Sequence, residues 1–232
     1  MSSEERIKIG IEGLDEMLGG GLIKNSISAI LGTYGTGKTT FGMHYIFEGL
    51  EKGEKCIYIS LEEREEAICR SIKDKGWDIS YLNKSLFILK LDPTDFNLAI
   101  NSIKNDLPEL IREFGASRVL IDPISFFEGL FDDPAARRRE MIRFNEIMRN
   151  MDCSFLLTSE SSQSSHYGSR FGLLEYLADT VIILRYVQLS DISEVHPAVE
   201  VVKMRLSGHS RQIKPYEIKK DCVRVYSDAE MF

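Results

Sequence analysis

Apolar residues gather along the chain into short runs rich in Ile, Val and Leu: Ser26–Leu31, Cys56–Ser60, Leu86–Leu91, Arg118–Asp122, Cys153–Ser159 and Thr180–Val187. Within each run the apolar content is nearly continuous, which predicts strands covered on both faces. Between them lie Lys38–Glu51, Glu62–Lys75, Phe96–Phe114 and Pro134–Met151, each long enough for a helix that crosses back over a sheet. Asp95 before Phe96, and Asp133 before a proline at the first helical position, mark two helix starts. This βαβ alternation predicts an α/β fold with a mostly parallel sheet flanked by helices. After Asp179 the pattern turns to strands, Thr180–Val187, Ala198–Leu206, Gln212–Lys219 and Val223–Tyr226, and predicts a C-terminal β extension that leans antiparallel. No repeat or linker divides residues 1–232, which are read as a single domain.

Composition narrows the function classes. Lys and Arg number 29 against 36 Asp and Glu, a net charge of −7, which argues against a protein that coats nucleic acid or anionic membrane by bulk charge. A polyanion ligand must therefore be held by a specific site. Cys56, Cys69, Cys153 and Cys222 form no CxxC pair and are read as buried reduced thiols. The opening residues lack a basic flank before an apolar core, and no window approaches a membrane span, so the expected setting is cytoplasmic, with no membrane partner.

The sharpest chemical signal is GTYGTGKT, residues 32–39, which satisfies G-x-x-x-x-G-K-[ST] between a strand and a helix. Gly32, Gly35 and Gly37 let successive amides of Thr33, Tyr34, Thr36 and their neighbours turn inward as a nest for phosphate oxygens, and the helix start at Lys38, Thr39 and Thr40 adds its positive dipole end. Lys38 is the candidate for the β- and γ-phosphates and the Thr39 hydroxyl for magnesium. Arg118-Val119-Leu120-Ile121-Asp122 has the form of a Walker B strand, with Asp122 the second metal-holding candidate. No N-K-x-D guanine reader follows. Glu62 and Glu63, after the strand Cys56–Ser60, are candidates to orient and deprotonate an attacking water, although an acidic first helical turn explains the pair equally well.

Taken together, IGIEGLDEMLGGGL, the P-loop, YISLEE, RVLIDPIS, FLLTSE, ADTVIILRYV and VVKMRLSGHS resemble, in order, the motifs of the RecA/KaiC ATPase family, closer to KaiC. The resemblance implies a RecA-like P-loop NTPase core that binds and hydrolyses Mg-ATP at subunit interfaces of a homo-oligomeric ring, usually hexameric, in a regulatory or signalling role. It implies that Glu62 and Glu63 are the paired catalytic glutamates, that Ser159 and Glu160 end the sensor strand, and that Lys203 and Arg205 are the K-x-R pair reaching a neighbouring subunit's nucleotide. The sequence names no protein partner.

The chain departs from the family pattern in three places. Ile23 and Asn25 replace a proline and a glycine after GGGL, Leu206 replaces the glycine after the K-x-R arginine, and Glu175-Tyr176 stands where autokinase domains present Ser and Thr acceptors. The alternative reading is a RadA/RecA-paralogue ATPase that modulates single-stranded DNA binding; a nucleotide-dependent scaffold with negligible turnover is a third. For the DNA reading, Tyr167, Arg170 and Phe171 in the loop 161–172 could stack on bases. Against it stand the net charge of −7 and a loop with one firm cation, and Arg137-Arg138-Arg139 fans around a helix instead of forming a stripe, so weak nucleic-acid binding at most is expected. The strand Ala198–Leu206 is expected to alternate, with Val199, Val201, Lys203 and Arg205 on one face.

Overall fold

The structure is a computed structural model that describes residues 5–91, 105–162, 165, 167–188 and 194–229. The expected cap Asp95, the first part of the helix predicted from Phe96, and His166 lie outside the described residues. Among the described residues eleven strands run in chain order: β1 (Arg6–Ile7), β2 (Leu22–Ile23), β3 (Ile27–Gly32), β4 (Cys56–Ser60), β5 (Leu86–Lys90), β6 (Arg118–Asp122), β7 (Ser154–Glu160), β8 (Thr180–Gln188), β9 (Val195–Met204), β10 (Lys214–Ile218) and β11 (Val223–Val225). Nine of them form one sheet in the order β11-β10-β9-β8-β3-β7-β6-β4-β5. From β5 to β8 every pairing is parallel, and from β8 to β11 every pairing is antiparallel. The strands β1 and β2 pair separately.

Parallel strands need both faces covered, and their burial meets that need: β3, β4 and β6 are buried at every residue. The helix Lys38–Glu51 contributes Phe41, Tyr45 and Ile46 to the core on one face. The helices Leu107–Phe114 and Pro134–Arg149 contribute Ile111, Met141 and Phe144 to the core on the other. Asp133 caps the second of these by accepting from the amides of Ala135 and Ala136 at 3.2 and 2.9 Å. A two-sided core of this kind requires no disulfide, and all four cysteines are free. Only Cys56 and Cys153 are buried as expected; Cys69 is half-buried, and Cys222 is exposed because it lies in the turn between β10 and β11.

Two local expectations are corrected. The helix after β4 spans Glu65–Asp74 instead of starting at Glu62, so Glu62 and Glu63 are not its first turn. Their carbonyls are held away from a helical ladder: the Ser60 hydroxyl donates to Glu63 O at 2.8 Å and Lys90 Nζ to Glu62 O at 2.8 Å. The second correction concerns β9. Val181 pairs with Lys203 but Ile182 pairs with Val201, so Val202 is an extra residue, a β-bulge that reverses the alternation. Val199, Val201 and Met204 therefore share one core while Val202 packs against the other, and Arg205 lies beyond the strand end.

Candidate nucleotide site

Strand β3 ends at Gly32, level with Glu160 of β7 and Leu184 of β8. That glycine is required by packing, since a Cβ there would meet Thr36 Oγ1 at 2.6 Å and Leu184 O at 2.9 Å. Gly35 and Gly37 take φ of +76° and +85°, values that side-chain-bearing residues rarely adopt, and so turn the loop back toward the helix beginning at Lys38. Lys38 Nζ lies across the loop and donates to the carbonyls of Gly32 and Thr33 at 3.0 Å each. Burial lowers its pKa, while the charges of Asp122, Glu160 and Glu62 act in the opposite direction. The Thr36 hydroxyl ties to Thr33 O at 2.8 Å, Thr39 and Thr40 are half-buried in the first helical turn, and Tyr34 stands 91% exposed at the tip.

The acidic side comes from the carboxyl ends of neighbouring parallel strands. Ser60 of β4 is in register with Asp122 of β6, which brings Glu62 and Glu63 next to the Walker B aspartate. Asp122 is buried, and both of its oxygens accept hydroxyl donors: Tyr58 at 2.8 Å on Oδ2 and Thr158 on Oδ1. Glu63 has its pKa raised, first by burial and then by the charges of Asp122 and Glu62. Ser159 is fully buried with its hydroxyl on Glu160 O at 3.2 Å, and Glu160 is level with Gly32, where the phosphate loop begins. Asp122 and Thr39 are hard oxygen donors of the kind that magnesium takes, and the Asp122 carboxylate keeps lone pairs beyond those its two neutral partners use. The residues present therefore fit that ion.

Sequence reasoning missed a third layer. Tyr216 of β10 donates to the carbonyl of Thr36 at 2.5 Å, Ile218 lies so close that a Cβ on Gly37 would meet its Cδ1 at 2.2 Å, and the Tyr186 hydroxyl stands 3.0 Å from where a Cβ on Gly35 would be. The β extension thus braces the outer side of the phosphate loop. Its only sequence signal is aromatic and aliphatic residues in short strands, which looks the same as ordinary core.

Lys203 and Arg205 are elsewhere. Met204 pairs with Thr180, which is level with Ser28 at the start of β3, whereas the P-loop leaves the far end at Gly32. Lys203 Nζ donates to the carbonyls of Glu175 and Ala178 at 2.8 and 2.7 Å, and Arg205 Nη2 donates to that of Tyr176 at 2.8 Å. Arg205 Nη1 also lies 3.3 Å from Asp179. Lys203 has its pKa lowered by burial and then by the Arg205 charge. A cavity of about 510 Å3 opens beside this pair, lined by Glu175, Lys203, His209 and Arg211 among others. In the loop toward residue 172, Arg170 is paired with Glu160 at 2.6 Å. Arg137 turns inward, its Nε donating to Glu128 O at 2.8 Å and its guanidinium 4.0 Å over the Phe171 ring. No basic stripe results from the three consecutive arginines.

A phosphate loop between β3 and its helix, a Walker B aspartate two strands away and carboxylates at the same end of a largely parallel sheet define a P-loop nucleotide-binding protein of RecA type. The family model described as "ATPase: KaiC" matches residues 7–230, and the chain belongs to that family. The circadian clock oscillator protein KaiC of Parathermosynechococcus lividus is 28% identical over 228 residues, covering 94% of this chain and 41% of the relative. The chain thus spans less than half the length of that clock protein. A UPF0273 protein of Aeropyrum pernix is 28% identical over 243 residues, covering 97% of this chain and 94% of its own length. The crystal structure of a KaiC-like protein from the hyperthermophilic archaeon Pyrococcus horikoshii OT3 superposes with a TM-score of 0.83 at 30% identity, covering 97% of this chain and all of that one. Among the described residues no helix is long and apolar enough to cross a membrane.

Proposed function

We propose that this chain hydrolyses Mg-ATP as a homo-oligomeric ring, a hexamer, in which each catalytic site is completed by the neighbouring copy, and that the cycle serves regulation. One observation carries this reading: the candidate finger pair and the P-loop lie at opposite ends of the same strands. Thr180 and Leu184 are four residues apart in β8, about 13 Å along the strand, with two strand spacings of roughly 5 Å each between β3 and β9. Lys203 and Arg205 cannot cover that distance within their own chain, but a head-to-tail copy can present them to the phosphate site.

In this mechanism the loop amides and Lys38 hold the β- and γ-phosphates. Thr39, with Asp122 through water, would hold magnesium, whose charge offsets that of the phosphate oxygens. Glu62 accepts the proton of the attacking water, and Glu63, next to Asp122 with a raised pKa, shares that proton within the acidic cluster. Arg205 and Lys203 of the neighbour balance charge developing on the γ-phosphate.

The test is complementation. Glu62→Gln and Arg205→Ala are each expected to be nearly inactive as pure assemblies, and mixing them should restore activity, because some interfaces then pair an intact Glu62 with an intact Arg205. No recovery in assemblies verified to be mixed would remove the shared-site reading.

A further inference from the structure

Among the described residues, those other than glycine with positive φ are Asn25 (+56°), Asn83 (+57°) and Leu206 (+58°). Asparagine tolerates the left-handed region because its short amide bonds locally. Asn25 is held by partners distant in sequence, its amide on Asp152 and its backbone N–H donating to Ser154 Oγ at 2.8 Å. Leucine has no such compensation, and its Cβ clashes in this conformation. Burial gives nothing back either, since Leu206 is 87% exposed. Both local terms therefore disfavour the residue present, and glycine would serve the turn better.

The turn itself is built and not slack. Arg205 N donates to Asp179 O at 2.9 Å on one side of Leu206. On the other side the Arg6 guanidinium donates to Ser207 Oγ, and Arg6 is itself fixed on the carbonyls of Leu18 and Gly21 at 2.7 and 2.9 Å. The leucine is thus held outward between two anchors, on the surface where Arg205 binds the carbonyl of Tyr176, whose own side chain is 69% exposed. Cations outnumber carboxylates there, with Arg149, Lys203, Arg205 and Arg211 against Glu175, Asp179 and Glu200. The open side of the phosphate site is the reverse: Glu62, Glu63, Glu65 and Glu66 are all exposed, with Arg64 the one cation in that run, and Tyr34 is exposed at the tip of the phosphate loop.

We propose that Leu206 is an apolar anchor for self-association, a pre-strained knob that is buried against the acidic, P-loop-bearing face of a second copy of this chain. The occupant follows from charge complementarity and from position: a neighbour close enough to receive Arg205 must also cover the adjacent residue. Holding the knob in its bound conformation beforehand removes the ordering cost at assembly. The strain is the local cost of a contact that only the assembly makes. This proposal rests on the ring reading above.

The experiment compares wild type, Leu206→Gly and Leu206→Met. Self-association in Mg-ATP is followed by sedimentation and by ATPase activity against protein concentration, and unfolding is followed on dilute, nucleotide-free chains. Leu206→Gly should raise the concentration for half-maximal association and activity by about tenfold or more, the value of one buried leucine. The same variant should melt about 2 °C higher, because glycine relieves the left-handed strain. Leu206→Met, which keeps the apolar side chain, should associate within about twofold of wild type, well short of the glycine loss. Unchanged association in Leu206→Gly, a lower melting point in it, or equal losses in both variants would each overturn the proposal. A wild type that stays monomeric in Mg-ATP would instead overturn the ring reading, and this anchor with it.

Discussion

The two ends of the central sheet solve opposite problems. At the carboxyl ends of β3, β4, β6 and β7 the chain collects negative charge, Asp122, Glu62, Glu63 and Glu160, around one lysine in a loop of backbone donors. At the other end, where β9 runs out beside the start of β8, it collects positive charge, Lys203 and Arg205, and seats it on the carbonyls of Glu175, Tyr176 and Ala178. The first end repels a nucleotide's phosphates unless backbone amides, Lys38 and a cation offset its carboxylates. The second holds Lys203 and Arg205, with Asp179 beside the arginine, and has no phosphate loop. Under the proposed shared site, neither end alone completes a centre for phosphoryl transfer, and each holds the charge that the other needs.

The largest expected effect tests that match directly. Arg205→Ala should lower kcat about 10³-fold while nucleotide affinity, measured by calorimetry, changes little, because the arginine acts on charge that develops only in the transition state. Equal losses in affinity and turnover would return Arg205 to a structural role on the Tyr176 carbonyl. Lys38→Ala should do the reverse and weaken ATP binding by about a hundredfold or more, since it removes the only side-chain cation of the phosphate loop. Wild-type affinity by calorimetry in that variant would break the assignment of the acidic end as the nucleotide end.

A third test reads the segment between the two ends. Glu128 is fully buried in the short helix after β6, and among the described residues neither of its carboxyl oxygens has a hydrogen-bond partner. Burial, and then the charge of Glu175, push its pKa up to about 8, with Arg137 and Arg170 acting weakly the other way. The native chain keeps this proton up to about pH 8, whereas an unfolded chain releases it near the ordinary value of 4.5. The folded state therefore binds more protons across that window, and stability falls as pH rises through it. Glu128→Gln should remove that slope, gaining about 3 kcal/mol at pH 7 and little at pH 4.5, as read by denaturant unfolding across pH. A slope unchanged by the substitution would assign the pH response to other groups. Smallest of the four, Tyr216→Phe should cost about 1 kcal/mol of stability by losing the bond to Thr36 O, and should weaken ATP severalfold without affecting the finger pair.

Most of the acidic end could be read from the sequence because its determinants are local. The loop glycines, the helix start at Lys38 and the strand Arg118–Asp122 are contiguous patterns, and the strand and helix bounds Cys56–Ser60, Arg118–Asp122 and Lys38–Glu51 coincide with those observed. What escaped was set by partners distant in sequence. The bulge at Val202 is a matter of register between two strands and leaves no mark in an otherwise alternating run. The start of the helix at Glu65 depends on Ser60 and Lys90 holding two carbonyls. Tyr58 and Thr158 sit inside apolar strands, where nothing in their neighbours reveals that both hydroxyls converge on Asp122.

The bracing of the phosphate loop by β10 bears on how such proteins can be recombined. Tyr216 and Thr36 are 180 positions apart, and the room left by Gly37 is filled by Ile218. A chimera that imports GTYGTGKT alone into a related scaffold brings the amides but not the surface they rest on, and one that exchanges β10 alone presses new side chains against a loop shaped for others. The unit that can be exchanged is discontinuous: residues 32–39 together with Tyr216 and Ile218.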